Sequence, residues 1–352
     1  MVQQVTIENF KSIESLTLEL GRINVFIGEN GSGKSNILEA IAMGSAAASN
    51  KLDNEFLASR GIRVTESQAM RSGFQKESLD ENIEISFVKG ERHDEEKHSY
   101  TLIHSNDFYS TWVCERRIQR VSEELKLKRV DGSLFRFQIY SPENYFLRRF
   151  EDESQIAPLG IRGEGLFKLL SVIYEEKPEQ FQKIREHLEV IDWFEGFEIP
   201  DDLRFTERRI RIKDRFIEEG LSYFDQRSSN EGFLYLLFYF SLFISDYTPK
   251  FFAIDNIDNA MNPKLASQLV QQLSHLAKEH DKQVIMTTHN PAVLDGLDLK
   301  DEEQRLFVIS RNKLGHTKAL RITHKPTPEG LDPVRLSEQF LRGYIGGLPK
   351  NF

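Results

Sequence analysis

INVFIGENGSGKSNILEAIA, residues 23–42, starts as an apolar run from Ile23 to Ile27, turns through glycines, and continues with Ile37, Leu38 and Ile41 at helical spacing. The pattern reads as strand, loop, helix. Gly28, Gly33, Lys34 and Ser35 satisfy G-x-x-x-x-G-K-[ST], with Asn30, Gly31 and Ser32 inside the loop and Asn36 directly after it. Backbone N–H groups of such a loop cradle phosphates at a helix N-terminus, where the partial positive charge of the helix adds to them. Lys34 is expected on the β and γ phosphates and the Ser35 hydroxyl on magnesium, so ATP and Mg2+ are the expected cofactors.

A second half of the site is visible downstream. FFAIDNIDNAMNP, residues 251–263, opens as a short apolar strand and places Asp255 at its carboxyl end, where open α/β sheets hold their ligands. Asp255 is the expected magnesium partner, reached through water. Leu265, Leu269, Leu273 and Leu276 then form one helical stripe, and QVIMTTH, residues 283–289, returns as another buried strand with His289 at its end.

IENFKSIESLTLEL (7–20), followed by the loop above, resembles the opening of the ABC-type ATPase heads of the RecF, OLD and SMC kind. Asn30 and Asn36 belong to that resemblance, which extends to FFAIDNIDNAMNP and to QVIMTTHNPAVLDGL (283–297) and so, with looser matches between, covers nearly the whole chain. It implies an α/β ABC-ATPase head: a mixed sheet with a P-loop core, an antiparallel β lobe and a helical lobe. It also implies that His289 senses the γ-phosphate and that ATP closes two copies into a dimer, each supplying a signature loop to the other's nucleotide. SSNEGFLYLLF is the candidate, with Asn230, Glu231 and Gly232 as its contacts and Asn230 where related heads carry serine. An ordinary capped core helix is the other reading, since Asn and Ser are preferred N-caps. Gly163, Glu164 and Gly165 are assigned to a structural helix entry instead.

The resemblance also exposes a departure. Asn256 follows Asp255 where related heads have a catalytic glutamate, and Asp258 is the nearest spare carboxylate. An amide cannot accept a proton from the attacking water, so slow hydrolysis is the expectation, with Asn256, Asp258 and His289 as the catalytic-site residues.

The rest of the chain sets limits. Its 352 residues include 39% hydrophobic ones, enough for a real core, and Lys+Arg 46 against Asp+Glu 55 leave a net charge of -9. Any nucleic-acid surface is therefore a local patch. Cys114 is the only cysteine, the start MVQQVTIENFKS has no apolar signal region, and the most apolar run, FLYLLFYFSLFI from Phe233, is too short to span a membrane. A cytoplasmic, membrane-free location is expected. Lys34 and Asp255 are 221 positions apart (255 − 34) with no sustained heptads between them, so no long coiled coil is expected. The expectation is a single composite head: 1–160 with the P-loop and an antiparallel β insertion, 161–325 with helices, signature, Asp255 and His289, and a tail at 326–352. GSLFRFQIY (132–140) reads as a strand closing the antiparallel part, with Gln138 either facing solvent or sensing nucleotide.

RFTERRIRIKDRF (204–216) concentrates Arg204, Arg208, Arg209, Arg211, Lys213 and Arg215, and alternation puts Arg209, Arg211 and Lys213 on one face with Ile210 and Ile212 inward. Contact with DNA phosphates, a solvated strand and a partner contact all fit. Arg116, Arg117 and Arg120 form a weaker patch. No nuclease-like set of carboxylates and histidines is found, so an effector such as a nuclease or toxin is expected on a separate polypeptide, as in the bacterial anti-phage ATPases this chain is similar to. A RecF-like DNA repair ATPase is the alternative. A transporter nucleotide-binding subunit fits less well, because SSNEG is far from LSGGQ.

Overall fold

The computed structural model describes residues 1–74, 77–90, 95–107, 110–120, 134–150, 155–200, 208–218, 223–326 and 334–346. The chain divides into two compact units whose segments interleave along the sequence. One takes Met1–Ile139, Pro249–Asp258 and Gln283–Phe352, and the other Tyr140–Thr248 and Asn259–Lys282.

In the first unit a six-stranded sheet runs in the order Thr317–Ile322, Gln304–Arg311, Ile23–Ile27, Gln283–Thr288, Phe251–Ile254, Ile139–Tyr140. The four strands from Gln304–Arg311 to Phe251–Ile254 pair in parallel, while Thr317–Ile322 closes an antiparallel hairpin. Ile23–Ile27, Phe251–Ile254 and Gln283–Thr288 are buried at every position, as expected of strands covered on both faces. Their parallel register brings the residues after Ile27, Ile254 and Thr288 to one edge of the sheet.

A five-stranded antiparallel sheet, ordered Ile13–Glu19, Val2–Phe10, Ile83–Lys89, Glu96–Ile103, Val113–Arg120, forms the rest of the unit's framework. Its apolar face receives the helix Lys34–Ala48. The small residues at the end of that helix let it approach closely: a Cβ at Gly44 would lie 2.7 Å from Ile85 and 2.8 Å from Phe87. Gln283 ties the chain start to the core, accepting from the Val2 N–H at 2.9 Å and donating to the carbonyls of Val2 and Gly21.

The segment 132–140 departs from expectation. Within the described residues Leu134–Arg136 is a 3-10 turn, and only Ile139–Tyr140 is extended, as an edge of the six-stranded sheet and not of the antiparallel one. Gln138 is buried, and its carbonyl accepts from the Ala253 N–H at 2.9 Å. Its own sequence lacks the longer alternation that would have separated a core-sheet edge from a meander.

The second unit holds the helices Asn144–Arg148, Leu166–Glu176, Pro178–Leu188, Glu231–Ile244 and Pro263–Glu279 with a three-stranded sheet, Tyr223–Phe224, Arg211–Asp214, Phe194–Glu198. The apolar run Phe233–Ile244 is buried throughout, and Gly165 at φ 75 starts the helix at Leu166. The longest described helix has 17 residues, and among the described residues no helix is long and apolar enough to cross a membrane. The mixed sheet with its antiparallel and helical parts, without a long coiled coil, agrees with the α/β head inferred from sequence.

Candidate nucleotide site

The P-loop backbone turns through positive φ at Gly28 (156°), Gly31 (76°) and Gly33 (107°). Close approach enforces two of these glycines. A Cβ at Gly28 would meet the Ile309 carbonyl at 2.1 Å and one at Gly33 would meet Thr317 Oγ1 at 2.1 Å. The loop is thus backed tightly by the C-terminal hairpin. Thr317 Oγ1 donates to the Ser32 carbonyl at 3.1 Å, shares a hydrogen bond with Ser12 Oγ at 2.7 Å, and Asn36 Nδ2 donates to the same Ser12 oxygen at 2.6 Å.

A cavity of about 350 Å3 opens on the other side of the loop, lined by Asn30, Gly31, Gly33, Lys34, Ser35, Asn36, Arg63, Asp255, Asn256, His289 and Arg311. Residues some 260 positions apart meet here because each follows a parallel strand, the general placement of ligand sites in such sheets. Lys34 Nζ donates to the carbonyls of Gly28 (2.7 Å) and Glu29 (3.0 Å), neutral partners only. Burial pushes its ammonium down to about 8, a shift that the nearby Asp255 carboxylate partly opposes. Asp255 accepts from Ser35 Oγ at 3.3 Å and from Thr287 Oγ1. Burial first, and then the Lys34 charge, hold His289 below the usual histidine value, so its ring is neutral at pH 7; Asp258 and Asp255 act in the opposite direction.

Asn256 reaches this cavity from a left-handed backbone at φ 57°, a conformation asparagine adopts more readily than most residues. Its N–H donates to Thr287 Oγ1 at 2.9 Å, and the next N–H, of Ile257, to the Thr287 carbonyl at 3.0 Å. Asp258 is absent from the cavity lining; its carboxylate accepts from Thr288 Oγ1 at 2.6 Å.

The residues fit a magnesium-bound triphosphate. Gly31 and Gly33 leave the loop backbone open to the cavity beside the buried Lys34 ammonium, as a polyphosphate requires. The Ser35–Asp255 pair offers two oxygens, and no group of three His, Cys, Asp or Glu side chains poised for a metal occurs among the described residues. That sparse set suits magnesium, which keeps waters and takes phosphate oxygens.

Three cations here were not singled out from sequence. Arg63 and Arg311 line the cavity, and with Asn36 they also line a neighbouring one of about 490 Å3 that contains Lys11, Ser12, Gln68 and Phe74. They arrive on a loop, a hairpin strand and a turn, where no periodic pattern marks them; the run NFKS around Lys11 was the one available signal.

Asn230, Glu231 and Gly232 belong to the second unit, at the N-terminus of the helix Glu231–Ile244. Asn230 Oδ1 accepts from the Phe233 N–H at 2.8 Å, an N-cap, and Asn144 Nδ2 donates to Glu231 Oε1 at 2.6 Å. In the same unit Ile210 and Ile212 are buried, and the cations beside them are paired: Arg209 with Asp225 (3.7 Å), Arg211 with Glu198 (3.6 Å), Lys213 with Glu195 (2.5 Å). Arg204 and the side chain of Arg120 lie outside the described residues.

Comparison with known proteins agrees with this geometry. RecF, the DNA replication and repair protein, of Listeria welshimeri is 40% identical over 55 residues, 15% of either chain, and that of Clostridium tetani 36% identical over 90 residues, 25% of this chain and 24% of its own. The match thus spans a quarter or less of the RecF length. Among solved structures, an SMC head bound to the C-winged helix domain of ScpA superposes with a TM-score of 0.61 at 15% identity, covering 92% of this chain and 98% of that one. The SMC head domain from Thermotoga maritima gives 0.51 at 16% identity, covering 92% and 99%. These likenesses establish the SMC-head-like fold. Residues 23–295 match the family described as "AAA domain, putative AbiEii toxin, Type IV TA system", and the chain belongs to that family, an ATP-binding P-loop ATPase of the ABC type.

Proposed function

We propose that the protein is an ABC-type head that binds ATP with magnesium, dimerises around it and hydrolyses it slowly, so that the ATP-bound dimer acts as a clamp on a separate effector. A nuclease or toxin in anti-phage defence is the effector class proposed; the family description speaks of a putative toxin and a toxin–antitoxin system. On this reading the chain is one composite head, 1–160 and 161–325, with the tail at 326–352 as a docking site; 327–333 and 347–352 of that tail lie outside the described residues.

The observation that carries the slow-turnover reading is Asn256. It lines the cavity, and by the sequence resemblance it stands where related heads carry a glutamate, while Asp258 is engaged by Thr288. Lys34 would take the β and γ phosphates, His289 would donate a neutral N–H to the γ-phosphate, and the amide of Asn256 would orient water without accepting its proton. Magnesium on Ser35 and, through water, on Asp255 would neutralise phosphate charge. General-base catalysis is typically worth ~10²–10⁴-fold. Asn256→Glu should raise steady-state hydrolysis roughly 10-fold or more, less than the full factor because a glutamate at that positive φ carries about 1 kcal/mol of strain. Asp258→Ala should matter much less in that background than in the wild type. Wild-type turnover of several per second, unchanged by Asn256→Glu, would refute the reading and leave Asp258 as the base.

A RecF-like DNA-binding role is the second reading, supported by the RecF match and by the Arg209, Arg211 and Lys213 face. The acidic partners of those cations reduce the charge free to meet phosphates.

A further inference from the structure

Glu39 lies one helical turn beyond Ser35 on the P-loop helix and is 2% exposed. A buried carboxylate is costly unless paired. Glu39 is paired twice: one oxygen accepts from Lys11 Nζ, the other from Arg63 Nε at 2.5 Å. Lys11 Nζ also donates to the Arg63 carbonyl at 3.1 Å, and Arg63 Nη2 to Asn36 Oδ1 at 3.3 Å. Arg63 is nevertheless 67% exposed and forms part of the wall of both cavities. Nε is tethered to Glu39 and Nη2 to Asn36, which leaves Nη1 of this exposed side chain available to a ligand.

We propose that Glu39 is a positioning residue that holds the Arg63 guanidinium ready for the polyphosphate of the bound nucleotide. An untethered arginine carries rotamer entropy, part of which is lost on binding. The Glu39 and Asn36 contacts remove much of that freedom in the free protein, so the loss falls on folding and not on ligand capture. The two cations exceed the one carboxylate by a single positive charge (2 − 1), which keeps the wall attractive to an anion.

Charge and positioning make opposite predictions. Glu39→Gln removes a negative charge near the triphosphate, and by electrostatics alone would tighten ATP. As a loss of positioning it weakens ATP, by roughly five-fold for one freed side chain. The inference rests on ATP binding at this cavity, so the experiment is calorimetric titration of the full chain with ATP and magnesium, using Lys34→Ala as the reference for a disabled site. The expected result is weaker binding in Glu39→Gln, and no such loss when Glu39→Gln is made in an Arg63→Ala background, because Glu39 acts through Arg63. Should Glu39→Gln fail to fold, Arg63→Lys decides: it keeps the charge on an exposed side chain but loses the Nε tether, and is expected to bind ATP more weakly. Tighter or unchanged binding in Glu39→Gln, or wild-type affinity in Arg63→Lys where Glu39→Gln does not fold, overturns the inference while leaving the ATP site standing. Wild-type protein that binds no better than Lys34→Ala overturns the ATP site itself.

Discussion

Raising the pH should discharge Lys34 in the free protein and weaken ATP binding. Burial, opposed in part by Asp255, brings the ammonium from 10.5 to about 8, a gap of about 2.5 pH units. At 1.36 kcal/mol per unit the gap corresponds to about 3 kcal/mol, and Lys34 is 6% exposed, so solvent screening removes little of it. Phosphate oxygens favour the charged form, so the bound lysine titrates higher than the free one and ATP binding takes up a proton above pH 8. The dissociation constant should then rise by about tenfold per pH unit, or on the order of 100-fold between pH 8 and 10, levelling off at the bound-state pKa. His289 stays neutral across this range and adds no slope. Calorimetry in two buffers of different ionisation heat measures the proton directly, with uptake of about half a proton at pH 8 and about 0.9 at pH 9. The sign for stability is the reverse of the sign for binding. Between the folded value of about 8 and the unfolded 10.5 the unfolded chain holds more protons, so nucleotide-free protein gains stability relative to Lys34→Met as pH climbs through that window. A constant affinity from pH 7 to 10 with no proton uptake would refute the reasoning.

ATP with magnesium should double the mass seen by light scattering in the wild type and leave Lys34→Ala monomeric; one mass under ATP, ADP and no nucleotide removes the trans role of Asn230, Glu231 and Gly232 unless a constitutive dimer closes. Asn230→Ala should lower stability to urea by about 1 kcal/mol through loss of the cap, and Asn230→Ser by much less, whatever the signature does; equal midpoints would deny the cap any weight. Reversing Arg209, Arg211 and Lys213 to glutamate should lower the salt slope of DNA binding by about 1 for each phosphate no longer engaged. An unchanged slope leaves those cations as partners of Asp225, Glu198 and Glu195.

The P-loop was legible because its chemistry needs fixed offsets: Gly28, Gly33, Lys34 and Ser35 sit where backbone geometry requires them. Asp255 and His289 were legible as the polar ends of short runs rich in apolar residues, which buried parallel strands produce. The second ring of cations was not. Lys11, Arg63 and Arg311 are brought to the cavity walls by the close approach of a turn, a loop and a hairpin, a tertiary property that leaves no period in the sequence. The alternation at 209–213 gave the strand face correctly, but the neutralising carboxylates come from Phe194–Glu198 and from Asp225, positions no local spacing connects to it.

Thr317 backs the P-loop from 283 positions beyond Lys34 (317 − 34), through its contacts with Ser12 and the Ser32 carbonyl. A ribosome adding about 5–20 residues per second needs roughly 15–60 s to cover that interval. Throughout it the emerging chain displays the nucleotide motif without the hairpin that shapes it. A nascent or truncated product lacking the hairpin should therefore be unable to sequester ATP, so that commitment to the nucleotide is withheld until synthesis has passed Thr317.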